Sequence, residues 1–148
     1  MTLQPKTVLM LLLLMAPLAA APLAAEEEPE TEEAAEEEER ITAYIAMEPP
    51  FVTHIGQPGS KVTYLKASVS LRVASAGAEP ALQAHMARLR HELVMLFGEQ
   101  TDAQPLTGVE GQKALRDEAT ARINRVLEEQ QTGERITGVL FTEFVVQK

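Results

Sequence analysis

Three histidines, two serines and one glutamate on a strand are the side chains with which this sequence could do chemistry. His85 and His91 stand six residues apart, and His54 is alone on an extended stretch. On one helix a separation of six puts two rings on opposite sides, whereas helical metal ligands stand three or four residues apart. These histidines read as solvent-facing or partly packed rings, not as a metal centre. Glu143 lies in the closing run "ITGVLFTEFVVQK". A carboxylate on a strand face serves more often in an ion pair or in blunting an edge than in catalysis. Ser68 and Ser70 fall on the polar side of an alternating segment, with no strained elbow around them. Gly108 and Gly111 precede no Lys-Ser/Thr pair, so they form no phosphate-cradling loop. The chain has no cysteine, which removes thiol nucleophiles, disulfides and cysteine-based zinc. No nucleophile–base pair, carboxylate pair or ligand cluster emerges. The expectation is no catalytic residue, no metal, no cofactor, and a binding or structural module that acts by contact.

The elements that position these residues fall in residues 41–148. "LKASVSLRV" alternates Leu65, Ala67, Val69, Leu71 and Val73 with polar residues, which is the period of a strand covered on one side. "ITAYIAMEPPFVTHI" is also extended, but Pro49 and Pro50 make it an edge strand or bend it. From Ala81 the period changes, with Leu82, Met86, Leu89, Leu93 and Leu96 at helical spacing up to Gly98. A second helix carries Leu115, Ala119, Ile123 and Val126, with Thr107 and Glu110 spaced for a capping box. Gly133 ends it, and the last strand starts at Ile136. The order strand-strand-helix-helix-strand predicts an α+β fold: two helices on one face of a small antiparallel or mixed sheet, the closing strand beside an early one. A chain can end on a strand when long-range pairing satisfies its backbone.

Composition divides the chain in three. Residues 1–25 carry one cation, Lys6, then an apolar run from Val8 to Ala16, two prolines and an alanine-rich end. This fits a signal peptide cut after Ala25; a retained membrane anchor is the alternative, since 19 uncharged residues run from Thr7 to Ala25. Either places the remainder outside the cytoplasm. Residues 26–40 hold ten glutamates before Arg40 and read as an acidic, disordered linker. It is either a spacer or a recruiting tail for a basic partner. From Arg40 onward twelve Lys+Arg balance twelve Asp+Glu, so the net charge of −9 resides in the linker. A near-neutral domain behind an acidic linker excludes nucleic acid as the expected partner.

Tyr44, Phe51, Arg88, Arg90, Arg116 and Arg122 are the candidate partner-contact residues, because Tyr and Arg dominate interface energetics when centrally buried. For any single arginine, plain solvation is the competing reading.

The segments "YIAMEPPFVTHI", "YLKASVSLRV", "GVEGQKALRDE", "INRVL" and "ITGVLFTEFVVQ", taken in order from Tyr44 to Gln147, resemble the flagellar basal body-associated FliL family. The resemblance implies a stomatin-like periplasmic domain that self-associates around the stator units at the flagellar basal body. It implies support of torque and motility, association with the inner membrane, and no catalysis. The leader departs from the family's usual single span behind a charged cytoplasmic stub, and His54 stands where the family often has Asn. Two other readings compete: a general periplasmic scaffold of the stomatin-like type, unrelated to motility, and a small-ligand carrier using space between helices and sheet.

Overall fold

A computed structural model describes residues 41–148. The expected leader, 1–25, and the acidic linker, 26–40, lie outside the described residues.

The alternating segment forms β2 (Thr63–Val73), whose Leu65, Ala67, Val69, Leu71 and Val73 are at most 2% exposed. It is the centre of a three-stranded sheet, with β1 (Ala43–Ile55) and β3 (Ile136–Gln147) antiparallel on either side. The closing strand does lie beside an early strand: Val73 faces Ile136 and Tyr64 faces Gln147. β1 and β3 are both edges and run the same way, so both begin at one end of the sheet.

The prolines act on β1 as their chemistry requires. Met47 pairs with Val69 and Phe51 with Ala67, so residues 48–50 bulge against Ser68. A proline has no N–H to contribute to a ladder. The bulge adds two residues and so preserves parity: Phe51 and Ile55 face the same layer as Ile45 and Met47. β3 carries two single-residue bulges, at Thr137 and Thr142, which shift its inward set to Ile136, Val139, Phe141, Phe144 and Val146.

The helices differ from expectation in two places. The helix expected from Ala81 begins at Ala78 and is interrupted, giving α1 (Ala78–Ala84) and α2 (Met86–Gly98). His85 separates them with φ −109° and ψ 11° and so does not share a helix with His91. Nothing in its surroundings explains the break. The second helix, α3 (Val109–Glu129), is capped by Gly108 and not by Thr107. Thr107 closes a short 3-10 turn, Pro105–Thr107, and its hydroxyl donates to the Gln104 carbonyl at 2.7 Å. Thr107 therefore stands one residue ahead of the cap and Glu110 falls at the helix's second position instead of its third, so no capping box forms.

α2 lies over β1, α3 over β3, and the two helices touch. All helices cover one face of the sheet, so the α+β class is as expected. Leu82, Leu89, Leu93, Phe97, Ile123 and Leu127 are fully buried between the layers, while Met86 is half-buried. Phe97 meets Phe51 edge-on at 5.4 Å between ring centroids. The layer between helices and sheet is filled by side chains, and the larger cavities open at the surface.

Candidate functional site

An edge strand leaves a row of backbone N–H and C=O groups without a partner strand. On β3 the first of these are satisfied by α3. The Ile136 N–H donates to Asn124 Oδ1 at 2.9 Å, and Asn124 Nδ2 donates to the Ile136 carbonyl at 3.1 Å. One helical turn earlier, Thr120 Oγ1 accepts the Val139 N–H at 3.1 Å while its hydroxyl donates to the Arg116 carbonyl at 2.8 Å. Residues four apart on a helix share a face, so Thr120 and Asn124 stand in for the missing neighbour. Among the described residues no side chain bonds the β3 backbone beyond Val139. There Phe141 and Phe144 stack at 4.9 Å, half-buried, along with Val146.

Further back along α3 the helix and the strand separate, and a groove of about 540 Å³ opens between them. Arg72, Lys113, Arg116, Asp117 and Thr120 wall it, with residues 137–141 of β3 as its floor. Arg72 reaches in from the open face of the sheet. Its Nε donates to Thr137 Oγ1 at 2.9 Å and its Nη2 to the Thr137 carbonyl at 3.3 Å. The guanidinium passes over Gly138, where a Cβ would lie 3.3 Å from Nη2. Lys113 Nζ contacts Asp117 Oδ2 at 2.8 Å, and that hydrogen bond raises the ammonium's pKa above its ordinary value. Arg116 is half-buried and enters no ion pair among the described residues. Three cations against one carboxylate make the groove net positive.

The helix-free face of the sheet is a second surface. Tyr44, Val52, Tyr64 and Val145 are exposed on it, and His54 leans on Tyr64 at 4.6 Å. Glu143 is held there by Lys66 at 2.9 Å and by the Ser68 hydroxyl at 3.3 Å. The Lys66 hydrogen bond is the main reason its carboxyl titrates below the ordinary range. Glu143 is thus an ion-pair residue. Among the described residues, no group of three or more His, Asp or Glu is placed to hold a metal ion. No described helix is long and apolar enough to cross a membrane.

The six candidate contact residues are dispersed. Tyr44 is exposed on the open sheet face, 58% accessible, opposite Arg72. Phe51 is a core residue, 3% exposed, and not a surface contact. Arg90 lies over the Phe51 ring at 4.2 Å and donates to the Met47 carbonyl at 3.1 Å, tying α2 to the β1 bulge. Arg122 is held between Glu99 and Glu118 and joins the end of α2 to α3. Hydrogen bonding to Glu99 raises the Arg122 pKa and lowers that of Glu99. Arg88 pairs with Glu92 at 2.9 Å on the outer side of α2. Arg116 alone enters the basic groove. Sequence reasoning missed Arg72, Lys113, Thr120 and Asn124. A signal for three of them was present: residues 113, 116, 120 and 124 form a polar stripe at helical spacing beside the apolar one.

Residues 44–147 match the family of the flagellar basal body-associated protein FliL. The chain belongs to the FliL family. No curated protein matches it. The matched span runs from the second residue of β1 to the last of β3, so the FliL region is the fold described above. It therefore includes the β3 seam, the basic groove and the open sheet face.

Proposed function

We propose that this FliL-family chain is a non-enzymatic accessory protein of the flagellar motor. It works on the periplasmic side of the inner membrane, associates with stator and basal-body proteins and with copies of itself, and supports torque and motility. The family match across the whole fold carries this reading. The signal-like composition of residues 1–25 supports an extracytoplasmic place for the domain. The side chains supply two surfaces for contact. One is the open sheet face with Tyr44 and Tyr64; the other is the basic side of α3 with Arg116. Arg88 offers a third, smaller point on α2. Arg90 and Arg122 have internal partners and serve the fold.

Deletion of the gene, followed by swimming and swarming assays, tests the reading. The expected result is slower swimming and impaired swarming, restored by the intact gene and less well by Tyr44→Ala/Arg116→Ala. Unchanged motility in the deletion strain would overturn it.

A further inference from the structure

We propose that the groove between α3 and β3 holds the chain's own acidic segment, Glu26–Glu39, in cis. Charge complementarity is the first argument. Arg72, Lys113 and Arg116 face the groove against Asp117 alone, with Glu110 a turn away near Lys113. The segment carries ten glutamates and no cation.

Position is the second argument. The chain enters the sheet at Ala43, which pairs with Val73, which pairs with Ile136. The next row is Tyr44, Arg72 and Gly138. The groove therefore lies at the same end of the sheet as the chain's entry, two strand spacings or about 10 Å across. Residues 26–40, at up to about 3.5 Å each, span that distance several times over. Contacts between exposed charges are individually weak. A short tether nevertheless presents its ligand at an effective concentration in the millimolar range, so a weak site is occupied in cis. The same glutamates on a separate chain would need millimolar protein to compete.

Because the chain has no cysteine, two introduced thiols are the only labelling sites. Spin labels at Glu33→Cys and Ala121→Cys in the full chain, held in detergent micelles, report the separation by double electron–electron resonance. The expected result is a narrow distance component that disappears between about 0.1 M and about 1 M salt, as the Debye length shortens from about 10 Å to about 3 Å. It should also disappear in Lys113→Ala/Arg116→Ala. Replacing the ten glutamates by glutamine leaves the folded region untouched and should abolish it too. A broad distribution under all conditions overturns the proposal. So does a narrow component that survives the glutamine replacement. A narrow component whose modulation depth falls on dilution with unlabelled chain overturns the cis assignment, because the segment would then sit on a second copy.

Discussion

Asn124 grips Ile136 by both of its backbone groups, accepting from the N–H at 2.9 Å and donating to the carbonyl at 3.1 Å. Ile136 is 3% exposed, so neither group has an easy substitute in water. Asn124→Ala orphans one donor and one acceptor, each costing about 1–3 kcal/mol when buried. The expected outcome is a loss of about 2 kcal/mol or more, read as a lower urea midpoint at unchanged m-value. The Ile136 amide should also exchange faster. An unshifted midpoint would show that solvent replaces the side chain at no cost.

Gly111 begins a contest between helix propensity and contact. Alanine in a helix interior gains about 1 kcal/mol over glycine. At this position a Cβ would fall on the carbonyl oxygen of Pro105, and that atom is backbone and cannot swing away. Overpacking of this kind costs about 1–3 kcal/mol, so the clash outweighs the propensity. Gly111→Ala should lower the melting temperature, and a stabilised variant would show that the 3-10 turn moves aside freely.

Leu71 is fully buried in the central strand, opposite Ile45 on one side and Val139 on the other. Leu71→Glu puts an unpaired carboxylate where no partner reaches it, which costs several kcal/mol. That is a large part of the stability of a domain this size. Loss of the cooperative melting transition is expected. A native-like melting curve would place Leu71 on the other face of the sheet.

Acid should weaken two ion pairs. Arg122 holds the Glu99 carboxyl below its ordinary value of 4.5, mainly by hydrogen bonding, and Lys66 does the same for Glu143. In the window below that value the unfolded chain binds more protons than the folded one, so stability rises with pH. The contribution is complete above about pH 4.5 and lost as pH falls through the two folded-state values. Urea midpoints measured down this range should decline less steeply in Glu99→Gln/Glu143→Gln than in the parent, and less steeply at high salt. Parallel slopes would show that neither pair contributes.

Much of this fold is legible in one dimension because its central strand obeys a strict period. β2 alternates without interruption, so its apolar set is the core set. The proline pair likewise marks β1 as an edge. The bulges at Thr137 and Thr142 are different, because nothing local distinguishes them from neighbouring β-branched residues. They change the inward spacing on β3 to three, two, three and two, which no fixed period finds. The failed cap at Thr107 has a similar origin: a threonine with glutamate three residues on satisfies the pattern, but Thr107 closes the 3-10 turn that Pro105 opens, and the helix starts only behind Gly108. The basic groove was hidden because Arg72 and Arg116 lie 44 residues apart and meet only through strand pairing. Phe51 was misplaced for the opposite reason. The bulge just ahead of it adds two residues and keeps it in parity with Met47, so its ring lies in the core.

The bulge at residues 48–50 has a bearing on assembly. It interrupts one margin of the sheet with two residues that have no N–H, and α3 seals the start of the other. Among the described residues, β1 still presents two short runs, 43–47 and 51–55, and β3 its stretch beyond Val139. A second copy that paired along any of these would add a short ladder before meeting the proline bulge or the α3 seam. Growth of a ribbon strand by strand is thus hindered at both margins, by prolines on one and by a helix on the other.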